Sequence, residues 1–148
     1  MPAKRADQEV RPTIRAGDAA DLPAVAAIQQ ASPEAAQWNV AEYLDREFLV
    51  AMVGNSVAGF LVCRTVAPGE REILNLAVAP DFRRNGIGRA LARASLAQFQ
   101  GAVFLEVRES NAAAREFYKS MNFNVVSTRE NYYDFPPEAA IVMKFHSC

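Results

Sequence analysis

Apolar and polar residues follow two different periods along the chain, and each period predicts one kind of secondary structure. In the first third, apolar residues recur at three- and four-residue intervals between Leu22 and Ile28, the spacing of one helix face. Asp18 can cap this helix, and Pro33 can end it. The predicted elements of this part are a strand at residues 13–16, a helix at 18–31 and a short helix at 39–46.

In the middle of the chain the period changes to that of strands. Gly54 with Asn55 and Pro68 with Gly69 separate three apolar-rich runs, and such pairs are typical of tight turns between strands. The three runs therefore predict an antiparallel meander. The predicted elements are strands at 48–53, 57–66 and 72–79, followed by a helix at 89–99 that Gly101 ends.

The last third combines one helix with three strands. Asn111 can cap the helix, and Asn122 follows it where the left-handed backbone conformation is common. The predicted elements are strands at 102–108, 124–133 and 139–146, with the helix from 111 to about 121. Because the two kinds of element alternate, we predict an α/β (α+β) fold, a mixed twisted sheet of about seven strands with about four helices on both of its faces.

Composition and charge limit the classes of protein to which this chain can belong. The chain has 148 residues, of which 51% are hydrophobic and 22% charged, proportions typical of one globular domain. We expect a flexible leader at 1–11 and a single domain at 12–148. No apolar run approaches the ~18 residues of a membrane helix, and no secretory signal precedes the domain, so a cytoplasmic protein without membrane contact is expected. The net charge of -1 argues against direct binding of nucleic acid.

Cysteine and histidine are too scarce for several kinds of site. The chain has two cysteines, Cys63 and Cys148, and one histidine, His146. They supply neither a disulfide framework nor a set of metal ligands, so no metal is expected. A histidine that is the third residue from the end of the chain is also poorly placed for nucleophilic catalysis, because chain ends are usually loosely held.

The segment that joins the third strand of the meander to the next helix contains Arg83, Arg84, Gly86 and Gly88. The first amides of a helix have no partner within the helix, and glycines allow a phosphate to approach them closely. The segment therefore predicts a phosphate site. A P-loop would require Gly-Lys-Ser/Thr here, and the dinucleotide fingerprint a small residue in place of Leu91. From spacing alone, an ordinary turn with solvated arginines is an equally good interpretation.

These residues resemble the acetyl-coenzyme A signature of the GNAT acetyltransferases, Gln/Arg-x-x-Gly-x-Gly/Ala, and the order of elements is similar over almost the whole chain. The matching residues are Leu76-Ala77-Val78, Pro80 and Arg83-Arg84-Asn85-Gly86-Ile87-Gly88-Arg89-Ala90-Leu91. Later residues are similar to the bacterial ribosomal-protein-alanine N-acetyltransferases of the RimI type. They are Leu105-Glu106-Val107-Arg108, Ser110-Asn111-Ala112-Ala113-Ala114, Phe117-Tyr118, Phe123 and Asn131-Tyr132-Tyr133.

The resemblance implies a GNAT fold and direct acetyl transfer, in a ternary complex, from acetyl-CoA to an N-terminal α-amine. The implied acceptor is the N-terminal alanine of a small-subunit ribosomal protein, and the implied enzyme is a monomer or weak homodimer. The implied cofactor-binding residues are Leu76, Ala77, Val78, Arg83, Arg84, Asn85, Gly86, Ile87, Gly88, Arg89 and Asn111. Leu76, Ala77 and Val78 would bond the pantetheine arm through their backbone, and Val78 would donate to the oxyanion.

The resemblance also implies two catalytic residues. Glu106 would be the general base, directly or through water, and little base strength is needed because an α-amine has a pKa of about 7.7 to 8.0. Tyr118 would be the general acid toward the departing thiolate. A second interpretation of Glu106 is a rim charge that pairs with Arg108 or Arg115. A second interpretation of Tyr118 is core packing.

The role of Asn111 and the kind of acceptor also allow more than one interpretation. Asn111 can be a helix cap alone. The acceptor can be a lysine side chain or a small-molecule amine, and a non-catalytic acyl-CoA sensor would need only the phosphate site.

Met121 and Asn122 depart from the Leu-Gly of the family, and both substitutions are structurally tolerable. The first half of the chain, with Trp38, and residues 131–138 are expected to determine the acceptor.

Overall fold

The computed structural model describes residues 11–97, 99–133 and 137–147. The strands are β1 (Thr13–Ala16), β2 (Glu47–Val53), β3 (Ser56–Ala67), β4 (Glu70–Val78), β5 (Gly101–Arg108), β6 (Asn124–Tyr133) and β7 (Glu138–Ser147). The α-helices are α1 (Leu22–Gln30), α2 (Ile87–Ala97) and α3 (Ala112–Ser120). Short 3₁₀ helices lie at Ala19–Asp21, Val40–Asp45 and Pro80–Phe82. The predicted leader, apart from residue 11, lies outside the described residues, as do Cys148 and part of the loop at 131–138.

The predicted order of elements and the mixed α/β class are confirmed. The seven strands form one sheet in the order β1-β2-β3-β4-β5-β7-β6. The element predicted at 39–46 is a 3₁₀ helix. Asn39 is its cap, since the Asn39 side chain accepts a hydrogen bond from the Ala41 N–H at 3.1 Å. Within the described residues, no helix is long and apolar enough to cross a membrane.

By their contacts the residues form two compact units, and β3 and β4 contribute to both. Unit 1 comprises Met1–Val62 and Asn75–Ala97, and unit 2 comprises Cys63–Leu74 and Gln98–Cys148. The prediction of a single domain stays a prediction.

Unit 1 contains β1, β2, the first part of β3, the last part of β4 and the helices α1 and α2. β1 and β2 are antiparallel, with Thr13 opposite Met52 and Ala16 opposite Leu49. A two-residue turn joins β2 to β3, and Gly54 adopts a φ of 60° at its first position. Such a short connection reverses the chain, as predicted. The fully buried side chains of the core include Val25, Val50, Phe60, Ile87 and Leu91.

A buried polar cluster around Asn75 connects β4 with the N-terminal helices of unit 1. The Asn75 side chain donates to Gln29 Oε1 at 3.1 Å, to the Ala36 carbonyl at 2.9 Å and to the Tyr43 hydroxyl at 3.1 Å. The Tyr43 hydroxyl donates to the same Gln29 oxygen at 2.5 Å. Asn75 is only 5% exposed, so each of these groups depends on its protein partner rather than on water.

We expect Asn75→Ala to lower the free energy of unfolding by about 2–3 kcal/mol, because it leaves buried acceptors without their donor. Urea unfolding followed by circular dichroism measures the change. Asn55→Ala, in the exposed β2–β3 turn, is the control and should change stability by less than about 0.5 kcal/mol. Equal effects of the two variants would contradict the importance of this cluster.

Unit 2 is built on β5 and the two strands that follow it in the chain. β4 and β5 run parallel from Glu70 opposite Ala102 to Glu72 opposite Phe104. β7 lies between β5 and β6 and is antiparallel to both. Tyr118 of α3 packs edge-on against Phe123, with ring centroids 5.4 Å apart.

Two sequence predictions in this unit are corrected. Gly101 does not end α2, which stops at Ala97, but begins β5 with a φ of 136°. A Cβ at this position would lie 2.2 Å from the Gly69 carbonyl oxygen, so a close backbone approach requires this glycine. His146 belongs to β7, opposite Ala102, and is therefore not part of a loose chain end. Asn122 has the expected left-handed backbone, with a φ of 73°.

Candidate active site

The predicted phosphate site lies in unit 1, where the loop after β4 enters α2. Two of its residues have left-handed backbone conformations, Arg84 with a φ of 67° and Gly86 with a φ of 77°. The first α-helical hydrogen bond runs from the Ala90 N–H to the Gly86 carbonyl at 3.0 Å. The amides of Ile87 and Gly88 therefore precede the helical ladder and are available to an anion.

Side chains of the same loop hold its shape. The Arg83 guanidinium donates to the Val78 carbonyl at 3.2 Å, the Ala31 carbonyl at 3.3 Å and the Ser32 hydroxyl at 3.1 Å. Asn85 donates to the carbonyls of Phe82 at 3.3 Å and Arg83 at 3.2 Å. Arg83 thus ties the loop to the end of α1, and its expected contact with the cofactor stays a prediction.

The loop fits a phosphate-bearing cofactor in three respects. A Cβ at position 86 would find no atom within 4 Å, so the space beside the loop is open. Arg84 is exposed and supplies positive charge. The left-handed backbone on both sides of Asn85 concentrates N–H groups in one place, an arrangement that binds anions.

The strand segment at residues 76–78 is partly occupied by hydrogen bonds within unit 1. The Leu76 N–H donates to the Asn75 side chain at 3.0 Å, and the Val78 carbonyl accepts from Arg83. The parallel pairing of β4 with β5 extends only to Glu72, before residues 76–78. The predicted backbone contacts of Leu76, Ala77 and Val78 with pantetheine, and the oxyanion role of Val78, stay predictions.

Glu106 lies in an open groove of unit 2 with a volume of about 420 Å³. Its side chain is 17% exposed, on the face of β5 opposite the buried Leu105 and Val107. The groove is lined by Arg64, Val66, Glu72, Phe104, Glu106, Ser127, Arg129, Tyr132 and Val142. A carboxylate in this position is shielded enough to be held in place and open enough to accept a proton from a solute.

The expected ion-pair partners of Glu106 are wrong. Its carboxylate accepts a hydrogen bond from Arg129 Nη1 at 2.6 Å. Arg108 instead pairs with Glu138 at 3.3 Å, and Arg115 donates to the Glu109 carbonyl at 2.8 Å. The reason is the order of the strands. Arg129 on β6 reaches across β7, over Val142, which lies directly opposite Glu106.

Tyr118 is packed in the core of unit 2, since its side chain is 7% exposed and contacts Phe117 and Phe123. Burial, and the nearby Cys63 thiol, raise the pKa of Tyr118 well above its ordinary value of 10.0. A thiol has a pKa of about 8.5, so complete proton transfer from this phenol to a thiolate is unfavourable. What the hydroxyl can do at neutral pH is donate a hydrogen bond.

Asn111 has the structural role that the sequence allowed. Its side-chain oxygen accepts from the Ala114 N–H at 3.1 Å and caps α3. The neighbouring Ser110 N–H donates to Glu138 at 2.5 Å. Hydrogen bonding by the Ser110 side chain, then by its backbone N–H and by Arg108, lowers the pKa of Glu138. Glu138 therefore holds the β5–α3 turn. Contact of Asn111 with a cofactor stays a prediction.

Sequence reasoning missed Arg129, Arg64 and Glu72, which line the same groove as Glu106. Arg64 and Glu72 form a second ion pair, at 2.8 Å. The alternation of side chains along a strand offered one signal for Arg129, because Ser127 and Arg129 are two residues apart on β6 and lie on the same face. The signal was insufficient because the β6–β7 register shifts between Val125 and Ser127 and again between Arg129 and Tyr133.

The comparisons with known proteins show the family and the fold. Residues 18–123 match the model of the Acetyltransferase (GNAT) family. A curated relative is the [Ribosomal protein bS18]-alanine N-acetyltransferase of Escherichia coli K12, 34% identical over 143 residues that cover 88% of this chain and 95% of that protein.

Two solved structures are similar over nearly the whole chain. The crystal structure of Ard1 from Thermoplasma volcanium has a TM-score of 0.83 and 33% identity, and covers 93% of this chain and 98% of that one. The ribosomal-protein-S18-alanine N-acetyltransferase from Escherichia coli has a TM-score of 0.79 and 31% identity, with coverages of 93% and 96%.

The class of protein that the fold and the comparisons define is an acetyl-CoA-dependent acyltransferase. The chain belongs to the GNAT family of acetyltransferases. The resemblance and the fold predicted from the sequence are thereby confirmed.

Proposed function

We propose that this protein transfers the acetyl group of acetyl-CoA to the N-terminal α-amine of a protein, with the N-terminal alanine of a small-subunit ribosomal protein as acceptor. The observation that carries the proposal is the groove around Glu106, where a largely shielded carboxylate faces a space open to solutes. The name of the Escherichia coli relative supports the choice of an alanine acceptor.

The cofactor-binding part of the proposal rests on unit 1. The amides of Arg84, Asn85, Gly86, Ile87, Gly88 and Arg89 hold the pyrophosphate, and the exposed Arg84 adds charge. Leu76, Ala77 and Val78 bond the pantetheine arm. The left-handed backbone at Arg84 and Gly86 supports this assignment.

The catalytic part rests on Glu106 and Tyr118. When bound, acetyl-CoA supplies a thioester carbon that an amine can attack. At pH 7 roughly a tenth of an α-amine is already neutral. Glu106 takes the proton that the amine nitrogen loses as it forms the new C–N bond, directly or through water. Tyr118 donates a hydrogen bond to the sulfur as the C–S bond breaks, and solvent completes its protonation.

Two peptides of identical sequence test the proposal, one with a free N-terminal alanine and one with that amine blocked, each containing one lysine. With labelled acetyl-CoA we expect label on the free α-amine only, located by mass spectrometry. Label on the lysine of the blocked peptide, without reaction at free N-termini, would establish a side-chain acetyltransferase instead. Binding of acetyl-CoA without transfer to either peptide would establish an acyl-CoA sensor.

The proposal includes a cytoplasmic enzyme that works as a monomer or weak homodimer. A peptide acceptor that enters the groove alone requires no nucleic acid and no membrane. Size-exclusion chromatography at several protein concentrations tests the assembly.

A further inference from the structure

Arg129 lies at the outer edge of the groove and contacts Glu106. Its side chain is 54% exposed, compared with 17% for Glu106. Within the described ranges, the bond to Glu106 at 2.6 Å is the one hydrogen bond that the guanidinium makes. A guanidinium has five N–H groups, so its other donors are available to a molecule that enters the groove.

The orientation of the Arg129 guanidinium is fixed by an aromatic ring as well as by the carboxylate. Its central carbon lies 4.3 Å from the ring centroid of Tyr132, which lines the same groove. A guanidinium that stacks on an aromatic face keeps its N–H groups free at its edge. Arg129 and Glu106 thus present donors and acceptors side by side.

This juxtaposition matches the chemistry of a peptide N-terminus. In an N-terminal residue the amine nitrogen and the carbonyl oxygen are three bonds apart, within about 3.5 Å of each other. The amine is a donor and the carbonyl an acceptor. A lysine ε-amine ends a stem of four carbons and has no carbonyl nearby.

Resting on the proposed function, we propose that Arg129 selects an N-terminal α-amine over a side-chain amine by donating to the first carbonyl oxygen of the acceptor while Glu106 accepts from the amine. Val66, Phe104 and Val142 supply apolar walls of the same groove. These walls suit an apolar first side chain, which agrees with an alanine acceptor.

The test compares a peptide that begins with alanine and the same peptide in which the first carbonyl is reduced to a methylene. For each substrate, kcat/KM of the Arg129→Gln variant is divided by that of the native protein, so that differences in amine pKa cancel. We expect a loss of about tenfold for the intact peptide, mainly in KM, because a charge-assisted hydrogen bond is lost. For the reduced peptide we expect no loss.

Arg108→Gln is the matched control, because Arg108 also pairs with a carboxylate, Glu138, and stacks 4.1 Å over a tyrosine ring, Tyr133. It lies outside the residues that line the groove and should affect both peptides equally. If Arg129→Gln lowers kcat/KM equally for both peptides at an unchanged melting temperature, Arg129 only holds Glu106 in place. If kcat/KM falls for neither peptide, Arg129 has no role in the reaction. Either result overturns the inference, whereas a native protein that labels only lysine overturns the proposed function itself.

Discussion

Replacing Glu106 by glutamine is expected to lower kcat for a free N-terminal peptide by about 10²- to 10⁴-fold at pH 7, the usual contribution of a general base. Glutamine has the same shape but cannot accept the proton that the amine must lose. The affinity for acetyl-CoA, measured by calorimetry, should not change. The loss should persist above about pH 8, where an α-amine with a pKa of 7.7 to 8.0 is already neutral, because the attacking nitrogen still loses a proton as the C–N bond forms.

Glu72→Gln is the matched control for this variant. Glu72 lines the same groove, its side chain is 21% exposed, and it also accepts from an arginine, Arg64, at 2.9 Å. Both variants lose an ion pair whose arginine is about half exposed, 54% for Arg129 and 45% for Arg64, so the two changes in melting temperature should be similar and small. Rates that fall equally in the two variants would show that the charge of the groove matters rather than a proton acceptor at Glu106.

Local patterns explain why most elements could be predicted. β1 and β6 have the predicted bounds, and Asn39 and Asn111 cap the predicted helices because a cap bonds within its own first turn. Asp18 caps the 3₁₀ helix Ala19–Asp21 rather than α1, which begins at Leu22 without a side-chain cap. The same patterns do not distinguish a 3₁₀ helix from an α-helix over six residues, since both begin with the same cap. The helix at Val40–Asp45 was therefore predicted with the wrong hydrogen-bonding pattern.

Contacts that cross strands could not be predicted. The sequence places Glu106 near Arg108 and Arg115, but β7 inserts between β5 and β6 and brings Arg129 to Glu106 across it. Neighbouring strands lie about 4.8 Å apart, so only a side chain as long as arginine spans the two intervals. Which arginine pairs with Glu106 thus depends on the order of the strands in the sheet, and no single stretch of sequence specifies that order.

The position of Gly86 allows the cofactor-binding loop to be tested apart from the catalytic residues. Gly86→Ala is expected to lower the affinity for acetyl-CoA on the order of a hundredfold, as measured by calorimetry. An alanine at a φ of 77° either keeps a strained backbone or relaxes it, and relaxation turns the following amides away from the phosphates. Two lost amide bonds at about 1.5 kcal/mol each account for this change. The added Cβ would also stand in the open space that the phosphates require.

Gly54→Ala separates this effect from general destabilisation, because Gly54 has a φ of 60° and likewise no atom within 4 Å of a Cβ, but lies in the β2–β3 turn. Each alanine variant should lower the free energy of unfolding by about 1–2 kcal/mol, and only the one at position 86 should lose affinity. Gly86→Asn should recover part of the stability, since asparagine tolerates this backbone, without recovering affinity, because its Cβ remains. Full affinity in Gly86→Ala would mean that the phosphates bind elsewhere, and the assignment of unit 1 as the cofactor site would fail.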